Sequence, residues 1–445
     1  MKRPYYIFSS GRLARKENTV FLYPSNPVQH GDKKAEINTQ SIQDKQIAED
    51  FKISSELKET SPEYGNDEKD NDQRIGDVND ERLIEVEETE SELTEEDIKE
   101  DDENTELTPK PKKVIPVEDI ESIYIFGEIS FNTKFLTFAS QNQIPIHVFN
   151  YYGYYSGSYY PREFLNSGFL LVKQVEHYVR NEDRMRLARK FVIGAAQNLL
   201  RNLKYYNSPS RTGKSKASEE GMKGVVPVED KTGINDDSAF ALHPLTDQID
   251  GIESLIPLIE KAGNIQELMA IEGNIRQVYY AAFEPILGYD FEFKKRIKRP
   301  PNNAVNALIS FGNSMVYTAV LGEIYKTQLS PLISYLHEPG ERRFSLALDI
   351  AEIFKPILAD RTIFKVLNKR IIQENDFDKR LNYAYLKEGG RKSFVKEFDE
   401  RLQTTIQHRG LRKSVSYRSL IRLECYKLVK HLLGEKEYEP FQIWW

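Results

Sequence analysis

Residues 120–161 read IESIYIFGEISFNTKFLTFASQNQIPIHVFNYYGYYSGSYYP, and the change of pattern along them sets the fold. Ser122–Phe126 and Ile144–Phe149 are dense in β-branched and aromatic side chains, the composition of strands. Between them Thr133–Gln141 spaces its apolar residues as a short helix does. The closing NYYGYYSGSYY (150–160) places Gly153 and Gly157 where tight turns are needed. Its tyrosines offer flat faces for packing or for base stacking. Beyond Pro161 the period of the chain becomes helical.

Upstream, Tyr5–Ser10, Thr19–Tyr23 and Val114–Val117 have strand composition, with Ser9–Gly11 as a turn. From about residue 25 to 113 apolar content collapses, so burial cannot offset the ordering entropy and the stretch reads as a disordered insertion. Downstream, Phe164–Tyr206 carries apolar residues at three- and four-residue spacing with a break at Asn181–Asp183, and residues 207–248 read as a loop insertion. Helical spacing then covers Ile252–Phe283, Asn303–Tyr325, Phe344–Leu358, Lys392–Gln407 and Tyr417–Leu433. The class is α+β: a small N-terminal β domain over 1–160, split by its insertion, then a large all-α domain over 161–445.

The net charge of −7 conceals an asymmetry. Ser61–Glu106 holds 21 acidic and 4 basic residues, leaving 58 basic and 48 acidic in the remainder, a balance of +10 compatible with nucleic acid. One cysteine, Cys425, excludes a disulfide framework and a cysteine-rich zinc site, and reads as a buried thiol. No run of 18 apolar residues occurs; Ala304–Leu321 is interrupted by Asn306, Ser310, Gly312, Asn313 and Ser314 and reads as a core helix. A cytoplasmic location is expected.

Among seven histidines, His337 stands apart, in YLHEPG (335–340), where Pro339 and Gly340 force a turn before a helix near Arg343. On that helix Asp349 and Glu352, three apart, share a face. Imidazole nitrogen and carboxylate oxygen together suit Mn²⁺ or Mg²⁺. A third ligand candidate is Glu272, on a helix beside Gly273, which leaves room for close approach. Spacing alone favours plainer roles: Glu272 with Arg276 as an i,i+4 pair worth roughly 0.3 kcal/mol, Asp349 with Glu352 as a solvated face, and His337 as a turn residue.

Taken together, IEGNIRQVYY (271–280), NALISFGNSM (306–315), YLHEPGERRFSLALDIAEIFKP (335–356) and RSLIRLECYKLVKHL (418–432) resemble the CRISPR-associated endonuclease that integrates new spacers. YYIFSSGRLARKENTV, IESIYIFGEISFN and NYYGYYSG resemble that family's β domain, in order. The resemblance implies a divalent-metal-dependent DNA endonuclease and strand transferase with Glu272, His337 and Glu352 as catalytic metal ligands, Mg²⁺ or Mn²⁺ as cofactor, and Asp349 as an accessory carboxylate. It implies a homodimer through the β domains and a small ferredoxin-like partner subunit. Its substrate is double-stranded or branched DNA, inserted into a CRISPR array by 3′-OH attack. Phosphate contacts are expected from Arg276, Lys294, Lys295, Arg296, Lys298 and Arg299, from Arg184, Arg186, Arg189 and Lys190, and from Asn306 and Asn313. Two other readings stay open, a DNA-binding scaffold without catalysis and a metal nuclease acting on RNA.

Overall fold

A computed structural model describes residues 2–24, 113–161, 165–208, 245–288, 291–297, 301–340, 344–380, 383–408 and 410–444. Of the insertion expected at 25–113 all but Lys113, and most of that at 207–248, lie outside them, as do Lys298 and Arg299. The N-terminal strands are β1 (Arg3–Ile7), β2 (Gly11–Lys16), β3 (Thr19–Pro24), β4 (Lys113–Pro116), β5 (Ile120–Ile125), β6 (Ile129–Ser130), β7 (Ile146–Phe149) and β8 (Tyr155–Tyr159). They make two four-stranded sheets, ordered β1-β5-β7-β8 and β4-β3-β2-β6. Helix α1 (Thr133–Gln141) lies between β6 and β7, and the Asn132 side chain caps it by accepting from the Phe135 amide at 3.0 Å.

Alternation along the first sheet serves two cores at once. Tyr5, Ile7, Ile123 and Ile125 point into a β-domain core shared with Leu13, Val20, Phe135 and Phe138. The intervening Tyr124 and Phe126 turn the other way and join Phe149 in the core of the helical half. Phe126 stacks on Phe149 at 4.3 Å between centroids and meets Phe311 edge-on at 6.1 Å. Polar contacts fasten the same face: the Tyr6 hydroxyl donates to Asp399 at 2.9 Å, and Lys326 bridges Glu121 and the buried Glu323. Residues 1–22 and 113–445 accordingly form one compact unit.

The helical half comprises α2 (Gly168–Val179), α3 (Asn181–Tyr206), α4 (Thr246–Lys261), α5 (Ile265–Ala281), α6 (Phe283–Leu287), α7 (Ala304–Tyr325), α8 (Ser345–Lys355), α9 (Arg361–Asn368), α10 (Glu388–Gln403) and α11 (Tyr417–Leu432). A π-helical turn, Pro356–Asp360, joins α8 to α9. Helix α7 is buried almost all round, packed against α8 and α11. It is the one helix among the described residues long and apolar enough to cross a membrane, and its apolar length is covered by protein. Cys425 is fully buried on α11.

The helical half is not all-α. Hairpins β9 (Phe377–Arg380) with β10 (Tyr383–Leu386) and β11 (Thr405–His408) with β12 (Lys413–Ser416) interrupt it. The first owes its existence to the aromatic and apolar alternation of Tyr383–Leu386, which helical spacing on either side masks. The second takes up residues 405–407, expected to end a helix that closes at Gln403.

Gly153 is held at φ +83° where a Cβ would stand 2.7 Å from the Phe311 ring. Gly153→Ala combines left-handed backbone with a clash and is expected to cost about 1–3 kcal/mol. The check is a lower urea midpoint at unchanged m value; an unaltered midpoint would show that the loop moves aside freely.

Candidate active site

Helix α5 begins where the Asn264 side chain accepts from the Glu267 amide at 2.9 Å. Its buried stripe runs through Leu268, Ile275 and Tyr279. Glu272 lies four residues after the first and three before the second, so helical geometry aims its carboxylate inward with them. Helix α8 buries Asp349 and Glu352 on the face that its apolar residues turn to the core. The loop 334–338 leads towards α8 and brings His337 to Asp349.

Glu272 and Glu352, 80 residues apart in the chain, meet at one cation. The Arg276 Nε donates to Glu272 and its Nη2 donates to Glu352. Glu352 also accepts from Lys355 Nζ at 2.5 Å. Both carboxylates are largely shielded, at 21% and 9% side-chain exposure, where an unopposed pair of negative charges would be costly. Burial pushes the Glu272 carboxyl up, but Arg276, Lys355 and His337 together hold it below the ordinary glutamate value. Burial, reinforced by Arg276, brings Lys355 down to about 7. Asp360, buried at the end of the π-helical turn, is pushed up to about 6 by burial, with Arg276 and the Tyr279 hydroxyl working against that rise.

Asp349 is not placed as a further ligand. It is fully buried, and its Oδ2 accepts from the Tyr335 and Leu336 amides at 2.8 and 3.0 Å. Its Oδ1 accepts from the His337 amide at 3.0 Å and faces His337 Nδ1 at 2.7 Å. A carboxylate that accepts three N–H groups is placed to accept from the imidazole as well, which puts a proton on Nδ1 and turns Nε2 away from Asp349. Asp349 therefore orients His337. The loop is pinned from outside as well: Arg184 donates to the Tyr335 carbonyl at 3.0 Å and to Glu338 at 2.6 Å, and the Tyr178 hydroxyl donates to Glu338 at 3.0 Å.

The two glutamates already draw a positive charge between them, and carboxylate oxygen and imidazole nitrogen are the kinds of donor that a hard or borderline divalent ion takes. Among the described residues no group of three His, Cys, Asp or Glu side chains is placed to hold a metal ion. The guanidinium lies between the two glutamates, and Asp349 takes the Nδ1 edge of His337. Gly273 faces open space: apart from its chain neighbours and its own helix backbone, nothing lies within 4 Å of where its Cβ would be.

Several residues expected at phosphate are committed inside the protein. Arg276 belongs to the acidic centre. Asn306 is fully buried: its Nδ2 donates to the Lys295 carbonyl at 3.0 Å, and its Oδ1 accepts from the Ile297 amide and from Arg296, both at 3.0 Å. Arg296 also donates to Ser310 Oγ at 2.9 Å. These residues brace the segment that presents the exposed Lys295 and the exposed Lys294, which pairs with Glu292 at 2.8 Å. Arg189 donates to the Ala262 carbonyl and Lys190 pairs with Glu439. Asn313 is half-buried, and of the second cluster Arg186 is the most exposed. Spacing had offered no sign of these committals, because each partner is a backbone carbonyl or a distant side chain.

Fold likeness defines the class first. The chain superposes on a Cas1 protein from Thermotoga maritima with TM-score 0.64 and 34% identity, covering 98% of this chain and 99% of that one. It shares its fold with a casposase bound to integration product, with TM-score 0.65, 15% identity and coverage of 99% and 93%. This is the Cas1-like architecture of a β domain joined to a helical domain.

The chain belongs to the family described as CRISPR associated protein Cas1, whose model matches residues 93–231 and 229–400. Among its relatives is the CRISPR-associated endonuclease Cas1 of Fusobacterium nucleatum subsp. nucleatum, 48% identical over 334 residues that cover 75% of this chain and 89% of the relative.

Proposed function

We propose that the chain is a divalent-metal-dependent DNA endonuclease and strand transferase that inserts DNA fragments into a CRISPR array. The observation that carries this reading is the convergence of Glu272 and Glu352 on one cation position, beside a histidine whose tautomer Asp349 fixes. Glu272, Glu352 and His337 Nε2 would hold Mn²⁺ or Mg²⁺. That ion would supply charge neutralisation at a phosphate and activation of an attacking oxygen.

The protein's own groups account for the rest. Asp349 keeps the His337 proton on Nδ1 and the ring in one orientation, as carboxylates behind metal-binding imidazoles do. Lys355 limits the negative charge that an incoming phosphodiester meets. Gly273 leaves the helix surface beside Glu272 open to the substrate backbone. In the transfer itself a DNA 3′-OH forms a new P–O bond as the bond to the departing 3′ oxygen breaks. The proton lost by the attacking hydroxyl is balanced by one taken up by the leaving oxygen. With water as the nucleophile, the same centre nicks DNA.

The test compares Mn²⁺-dependent nicking and strand transfer on branched DNA with an RNA of matched sequence, with and without EDTA. The reading expects product from DNA alone and none after chelation. Equal cleavage of RNA would favour a general nuclease, and binding without any product would favour a scaffold.

Lys294 and Lys295 are assigned to phosphate. Replacing both with Ala should reduce the slope of log K against log salt by about 2, with weakening shared across sequences. An unchanged slope would remove this segment from the DNA path. A homodimer through the β domains, with a small ferredoxin-like partner subunit, belongs to the same reading.

A further inference from the structure

Arg276 stands between two acidic poles. One is the Glu272 and Glu352 pair, to which it donates from Nε and Nη2. The other is Asp360, 3% exposed, which together with Tyr280 acts electrostatically on the same guanidinium. Asn202 helps fix that second pole by donating to the Tyr279 hydroxyl at 2.7 Å, and Tyr279 in turn bonds Asp360.

Charge balance gives this arrangement a consequence. Glu272 and Glu352 are offset by Arg276 and Lys355 in the structure as it stands. A divalent ion taken up by the two glutamates would add two positive charges beside the fixed charge of Arg276, in a shielded setting where like charges repel strongly. The oxygens that accept from Arg276 would also be the ones such an ion needs. Arginine is not deprotonated in proteins, so the guanidinium can give way only by moving. Asp360 is within the electrostatic reach of the guanidinium and offers it a counter-charge.

We propose that Arg276 is an exchangeable internal counter-ion, neutralising Glu272 and Glu352 in the metal-free protein and passing to Asp360 when a divalent ion is taken up. Ion uptake is then a displacement, and affinity reflects what Arg276 gives up. This proposal rests on the assignment of Glu272 and Glu352 as ion ligands.

The experiment is calorimetric titration of the full-length protein with Mn²⁺ alone, paired with thermal unfolding. Arg276→Gln should bind Mn²⁺ at least tenfold more tightly than wild type, with a lower melting temperature without metal and a larger rise on adding it. Arg276→Lys, whose single ammonium does not bridge both glutamates, should tighten binding to a smaller degree and supports the comparison if the Gln variant folds poorly. Asp360→Asn should weaken binding several-fold without touching a ligand. Glu352→Gln separates the two layers of inference. If it weakens Mn²⁺ binding while Arg276→Gln and Arg276→Lys leave the affinity within twofold of wild type or reduce it, the displacement is wrong and the ligand assignment survives. If Glu352→Gln has no effect on binding, the assignment fails and the displacement falls with it.

Discussion

Glu352→Gln should eliminate strand transfer and nicking while leaving DNA binding nearly unchanged. The substitution keeps size and removes the charge at the point where α8 meets α5, so Arg276 and Lys355 lose their shared partner. Loss of several kcal/mol of transition-state charge stabilisation, taken as about 4, corresponds to a rate reduction of roughly 10³-fold. Glu272→Gln and His337→Ala should produce losses of the same order, because each removes one donor from the same centre. Binding should survive since the exposed Lys294 and Lys295 lie outside it. Single-turnover transfer and filter binding on the same branched DNA check the two halves separately. Near-normal transfer by any of the three variants would remove that residue from the ligand set.

Asp349→Ala is expected to affect both stability and rate. Removing this fully buried carboxylate leaves the amides of residues 335, 336 and 337 and the His337 Nδ1–H without their acceptor. Each buried donor so abandoned costs about 1–3 kcal/mol, and with partial relaxation the loss should be about 3–5 kcal/mol. Asp349→Asn keeps one carbonyl acceptor and the side-chain volume, so it should fold more nearly as wild type does. It should still lose about 10–100-fold in activity, the usual consequence of disturbing a group behind a metal-binding imidazole. Thermal unfolding of the Ala variant and transfer kinetics of the Asn variant read the two effects. Normal activity in Asp349→Asn would show that the orientation of His337 does not depend on this bond.

Much of the fold was readable where local composition and packing agree. Tyr124 and Phe126 alternate with Ile123 and Ile125, and both faces of that strand are buried in the structure. Strand β2, GRLARK, escaped the reading because it lacks β-branched and aromatic residues and is held by its pairing with β6 and its place in the sheet. The loop and helix around His337, Asp349 and Glu352 were visible because Pro339 and Gly340 punctuate the chain. What Asp349 does was not visible, since three of its partners are backbone amides. Arg276 shows the same limit: the i,i+4 rule finds Glu272, but the bond to Glu352 spans 76 residues. Asn306 and Arg296 read as phosphate contacts in sequence, and only the packing of α7 against the preceding segment turns them into supports.

The decisive measurement is an anomalous-scattering map from crystals of the full-length protein soaked in Mn²⁺. A single peak touching a carboxylate oxygen of Glu272, a carboxylate oxygen of Glu352 and Nε2 of His337 is the result anticipated here. A peak bound elsewhere, or one that engages the glutamates while Nε2 of His337 points away from it, would contradict the shared centre.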